Sequence, residues 1–272
     1  MKKTLQATIL IFFSFVPLQY LFSQSTLVTI AEDPYATSST LSNTTQFTFD
    51  DLPTGLSSNV TWDGVGTFDS LYVSDANVWG GAYNELTGSA SQFSWQGSRW
   101  TPTSTLSLDQ SSSYFGFWWS AGDRNNQISF YNQDDLIARF TTESMFGSLS
   151  LSQDYYGNPL TGGNSREPYA FINFFGDAET SWDRIELTQL GGGGFESDNY
   201  TTRVESFNPE VDTELSLGKV IAEVSGDNTD IVEEPTEDWV WGYEQNAPGA
   251  PIPPLFALLI FATLAVIKTK IN

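Results

Sequence analysis

Carboxylates are the reactive groups this sequence offers in number. Asp50 and Asp51 stand in "TFDDLPTG" (48–55), and Glu196, Asp198 and Asn199 stand in "GFESDNYT" (194–201). Hard oxygen ligands of this kind suit Ca2+, and they converge if the first and last strands of a sandwich are neighbours. Read as turn residues instead, they make local Asx hydrogen bonds and stay solvated. "DGVGTFD" (63–69) and "DNTD" (227–230) have the look of calcium loops, but neither follows the twelve-residue EF-hand pattern. The chain contains no histidine and no cysteine. That removes Ser-His-Asp and Cys-His catalysis, disulfides, Cys-based metal sites and the commonest zinc ligand.

Aromatic residues supply a second kind of site. "FGFWWSAGDRNN" (115–126) sets Trp118 and Trp119 directly before Asp123, Arg124 and Asn125, and Trp95 and Trp100 lie upstream. A flat indole face beside hydrogen-bonding side chains is what a pyranose ring needs. Neighbouring strand residues point to opposite faces, so at most one of Trp118 and Trp119 presents itself and the other packs inside. A hydrolase would need two carboxylates about 5–5.5 Å apart. "ESDNYT" (196–201) is similar to the Glu-x-Asp-x-x-Glu strand of one jelly-roll glycosidase group at Glu196 and Asp198. Thr201 stands at that group's acid/base position, so the resemblance implies no complete mechanism. "GGGG" (191–194) opens no helix and lies in a negative field, which leaves a flexible hairpin rather than a phosphate loop.

These residues need strands to position them. From 25 to 207, short β-branched and aromatic segments recur between Gly, Asn, Asp and Ser clusters, and no long window keeps a 3.6-residue period. The segments are 44–49, 68–73, 91–95, 104–108, 113–119, 126–131, 136–142, 169–175, 181–189 and 200–207. "ISFYNQDDLIARF" reads as a hairpin turning at 132–135, with Ile128 and Phe130 on one arm and Leu136, Ala138 and Phe140 on the other facing the core. "YAFINFF" (169–175) is apolar on both faces apart from Asn173, which predicts a central, covered strand. Ten short strands without helices predict an all-β fold, two packed sheets in a jelly-roll-like β-sandwich over 26–207, with a closed barrel as the alternative.

Beyond 207 the texture changes. The spacer 208–246 is acidic, carries Lys219 as its single base and contains "WVWGY" (239–243), an aromatic patch suited to docking or to a membrane interface. Within it, "ELSLGKVIAEV" (214–224) has the composition of edge strands. At the other end, Lys2 and Lys3 precede an apolar stretch and small residues at Ser23 and Ser25, the layout of a signal peptide over 1–25. Overall, 33 acidic residues face 11 basic ones, a formal net charge of −22. Lys2, Lys3, Lys268 and Lys270 lie outside every acid, so the central part is more acidic still. Such a surface repels phosphate backbones and anionic lipid, excludes nucleic acid as a partner, and favours a cation or a neutral polyhydroxylated ligand.

The chain closes on "APGAPIPPLFALLIFATLAVIKTKIN" (247–272). Its apolar run at 255–267 has 13 residues, and 17 counted from Pro251. As helix these reach roughly 20 and 25 Å against about 30 Å of hydrocarbon, short for a permanent span unless lysines snorkel and the bilayer thins. Lys268 and Lys270 place the basic tip inside and the acidic domain outside. The tail resembles the PEP-CTERM class of sorting signals, in which a Pro-containing motif precedes one hydrophobic helix and a basic end. Pro248, Gly249, Ala250, Pro251, Pro253 and Pro254 occupy the motif, without the usual glutamate between prolines, as in cyanobacterial-type variants. "TFDDLPTG", "WDRIELTQLGGGGFESDN" (182–199), "YFGFWWSAGDRNNQISFYN" (114–132) and "REPYAFINFFG" (166–176) are similar to ectodomains found ahead of such tails. The resemblance implies an exported surface or extracellular-matrix protein and says little of activity, whereas the missing histidine, cysteine and acid/base carboxylate point to one without enzymatic activity. Its partners would be signal peptidase, an exosortase-type transpeptidase, extracellular polysaccharide and, through the tail, the membrane. A structural Ca2+ is the one cofactor expected, and a carbohydrate-binding module is the alternative function.

Overall fold

The computed structural model describes residues 25–78, 80–84, 86–97, 101–147, 151–203 and 218–225. Residues 1–24, most of the spacer, "WVWGY", the tail motif and the 255–267 run lie outside them, as does Trp100. Among the described residues no helix is long and apolar enough to cross a membrane.

Among the described residues fifteen strands follow one another. The first seven are β1 (Ser25–Ile30), β2 (Thr45–Phe47), β3 (Gly55–Trp62), β4 (Gly66–Ser74), β5 (Tyr83–Asn84), β6 (Ser89–Ala90) and β7 (Phe93–Gln96). Next come β8 (Thr103–Ser112), β9 (Tyr114–Ser120), β10 (Asn126–Asn132) and β11 (Asp135–Thr141). The last four are β12 (Ala170–Gly176), β13 (Trp182–Gln189), β14 (Phe195–Arg203) and β15 (Lys219–Ser225). A single helical turn, α1 (Thr142–Phe146), follows β11, and its N-terminus is closed by a capping box between Thr141 and Ser144. The fold is therefore all-β.

The expected pair of separate sheets is instead one antiparallel sheet of 13 strands that curls over on itself. Its order is β11-β10-β13-β8-β4-β7-β14-β9-β12-β1-β15, with β2 beside β14 and β3 beside β4. The corner is β7, which pairs with β4 at Ser94 and with β14 at the same residue from its other edge. Strand alternation then puts apolar residues inside: on β13, Ile185 and Leu187 are buried while Arg184 and Glu186 face outward. The two halves meet through aromatic contacts. Phe130 of β10 lies 5.0 Å from Phe174 of β12, and Phe68 of β4 lies 5.8 Å from Tyr200 of β14. Each such ring, fully buried, contributes about 1.5–3 kcal/mol.

The "YAFINFF" expectation holds. Every residue of β12 is buried, between β9 and β1. Asn173 is satisfied there, accepting from the Tyr114 hydroxyl at 2.8 Å and donating to Thr29 at 3.3 Å. The 132–135 hairpin also forms, as β10 and β11, but a bulge after Phe130 opposes Tyr131 to Leu136 and so shifts the second arm. Ala138 and Phe140 are core residues as expected, Ile137 is buried too, and Leu136 is only half-buried. The 191–194 segment is not a hairpin. It carries the chain from β13 in one half of the sheet to β14 in the other, with Gly192 at φ 64° and Gly193 at φ 95°. Finally, β15 pairs with β1, so the sheet extends into residues the sequence assigns to the spacer.

Candidate functional site

Strand β14 carries the acidic motif, and its backbone decides where each side chain goes. Asn199 sits at φ 52°, within a register shift between Asp198 and Thr201. Glu196 lies opposite Ser120, Asp198 opposite Trp118 and Thr201 opposite Gly116. Those three partners alternate along β9, so Glu196, Asp198 and Thr201 share the outer face of the sheet across the bulge. Thr201 donates its hydroxyl to the Asn199 carbonyl at 2.9 Å. The strand thus presents two carboxyls and one hydroxyl on this face.

Asp198 is fully buried and works as a clamp. It accepts from the backbone N–H of Ala82 at 3.0 Å, from the Asn199 N–H at 2.6 Å and from the Ser91 hydroxyl. The first and last of these bind the segment that contains β5 and β6 onto the sheet. Burial nevertheless pushes the Asp198 carboxyl up to about 7, the three donors acting the other way and the charge of Asp50 adding to the rise. Asp50 accepts from the Gln92 N–H at 2.9 Å. The segment leading to it, β2, pairs with β14 as the calcium expectation required. Asp51 is exposed, and Asn199 donates its side-chain amide to the Thr37 carbonyl at 2.7 Å. The oxygens of Asp198 already accept three donors. Among the described residues no three acidic side chains are grouped to hold a metal ion.

Glu196 belongs to a different neighbourhood. It is 1% exposed, and its Oε1 has no hydrogen-bond partner. Burial holds its carboxyl well above the usual range, with the charges of Asp123 and Glu167 adding to the rise. Burial also pushes Asp123 and Glu167 up to about 7 each. The 191–194 crossover lies over this group. A Cβ on Gly194 would come within 2.0 Å of the Glu196 Oε1 and 1.8 Å of the Trp95 Nε1, and one on Gly193 within 2.4 Å of an Asp123 oxygen. Asp123 accepts from the Asn125 N–H at 2.8 Å and from Gln189 at 3.4 Å, while Gln189 accepts from the Gly191 N–H at 3.0 Å. Asp123 and Glu167 can therefore take up protons near neutral pH, and Glu196 is held protonated more firmly than either. The sequence offered Asp123 and Glu196 separately, and Glu167 was not singled out. Only the fold brings the 157–169 loop beside them.

The tryptophan platform needs correction. Trp118 is 0% and Trp119 1% exposed, so neither turns a face to solvent. Trp119 stacks on Phe195 at 4.8 Å in the main core. Trp118 points the other way, as strand alternation requires, but there it meets Ala82, Ala121, Tyr169 and Phe171 in a smaller outer cluster. Loops cover the outer face, which a strand pattern cannot reveal. Arg124 pairs with Glu143 at 3.2 Å, and Asn125 donates to the Gly192 carbonyl at 3.4 Å. Trp95 packs edge-on against Tyr72 at 5.3 Å. Compared with known proteins, the chain matches no family model and no curated protein.

Proposed function

We propose that this is a non-enzymatic exported protein, a jelly-roll-like sandwich delivered to the cell surface or extracellular matrix through its C-terminal tail. The observation that carries this reading is the order of segments in the sequence: basic and apolar leader, acidic β domain, acidic spacer, proline motif, short apolar run, basic tip. The facing halves of the sheet and the pairing of β2 with β14 support the jelly-roll form. Protease treatment of intact cells tests the reading. The β domain should be released or degraded while cytoplasmic proteins survive, and complete protection would overturn it. The second reading is a carbohydrate-binding module, and the hollow described below favours it. Glycan hydrolysis by the protein, lost in Glu196→Gln, would replace both with a glycosidase.

A further inference from the structure

We propose that the tip of the β10–β11 hairpin is a binding site for a neutral glycan. An open hollow of about 540 Å³ is lined there by Asn132, Gln133, Asp135, Leu136 and Ile137. That volume lies within the usual range for small-ligand sites, roughly 300–1,000 Å³. The lining combines two amides and a carboxylate, which exchange hydrogen bonds with hydroxyls in either direction, with the half-buried Leu136 for a C–H face and the buried Ile137 beneath.

The site is held in place by its neighbours. Both oxygens of Asp183 accept from the Gln133 N–H, at 3.0 and 3.1 Å, and the Asn132 amide donates to the Ser181 carbonyl at 3.1 Å. Leu136 is the cross-strand partner of Tyr131, so the two side chains share a face of the hairpin. On the other side Tyr131 is opposite Arg184, whose guanidinium carbon lies 4.2 Å from the ring centroid. Arg184 also pairs with Glu186 at 3.4 Å. Its charge is therefore engaged by a carboxylate and a ring, which fixes the ring's orientation.

Charge selects the ligand. Asp134, Asp135 and Asp183 surround the tip, and the whole chain is strongly acidic, so anionic polymers are repelled. A neutral polyhydroxylated ligand meets no such penalty. The surface-protein reading supplies the setting in which such a polymer is met, but glycan binding stands or falls independently of tail cleavage.

Affinity electrophoresis of the purified full-length protein tests this, in gels containing mixed-linkage β-glucan, galactomannan, dextran or dextran sulfate. At least one neutral polymer should retard the wild type, and dextran sulfate should not. Tyr131→Ala should weaken the interaction roughly tenfold, the scale of one aromatic contact. Gln133→Gly should also weaken it. Gln133 sits at φ 55°, so glycine removes the side chain without disturbing the turn. Far-UV circular dichroism and a cooperative melt establish that both variants are folded. Absence of retardation by every neutral polymer overturns the proposal. So does retardation by dextran sulfate alone, or retardation undiminished in both folded variants.

Discussion

Asp198 shows how much one side chain can hold when its environment is closed. All three of its contacts are donors, so each favours an acceptor-only carboxylate. Asp198→Asn replaces one oxygen with an NH2 group that must face a donor. The expected cost is about 1–3 kcal/mol, read from urea unfolding midpoints. Glu196 behaves differently because its Oε1 lacks a partner. Its folded pKa, like those of Asp123 and Glu167, is raised above the unfolded value. Such groups contribute stability that is fully present below about pH 4, the unfolded range, and is lost as pH rises, through about 7 for Asp123 and Glu167. The melting temperature should therefore fall between pH 5 and pH 8. Glu196→Gln, which cannot ionise, should flatten that fall, and an unchanged slope would show that the folded Glu196 carboxyl keeps its ordinary range. The motif was legible as carboxylates in the sequence. Their division between a clamp and a buried cluster was not, because it depends on the loops around Ala82, Ser91 and Glu167 and on the crossover above Gly194.

At the scale of elements, local pattern predicted pairing where partners are close in sequence. The β10–β11 hairpin follows from alternation around a polar turn, and β12 from its two-sided apolar run. The second arm departs from simple alternation at Leu136, because a one-residue bulge has no signature in "ISFYNQDDLIARF". β3 passed unrecognised because "GLSSNVTW" is an edge strand, mostly polar, with only Trp62 fully buried. β1 was missed because its "STLVTI" directly follows the apolar leader and finds its partners, β12 and β15, far along the chain. The 191–194 crossover yields a further prediction. Gly194→Ala forces a Cβ against the Trp95 indole and the Glu196 carboxyl, which should cost about 1–3 kcal/mol as overpacking. Gly192→Ala meets no atom within 4 Å and pays only for its positive φ, about 1 kcal/mol. Denaturant unfolding of the two variants separates steric crowding from backbone strain.

For the whole molecule, charge sets the behaviour. With a net charge of −22, self-repulsion acts on the folded chain, and salt screens it over about 10 Å at 0.1 M. Raising NaCl from about 10 to 150 mM should raise the melting temperature. The all-β class was readable from composition and pattern, whereas strands such as β1 and β3 and the closure of one sheet through β7 were not. Ser94 reaches both β4 and β14 only once the halves have folded over. The central claim concerns the tail, and intact-mass analysis of the protein recovered from the cell surface tests it most directly. The sorting account predicts a C-terminus within 247–254, with 255–272 removed. A mass that retains 255–272 would contradict it and make the tail a permanent anchor.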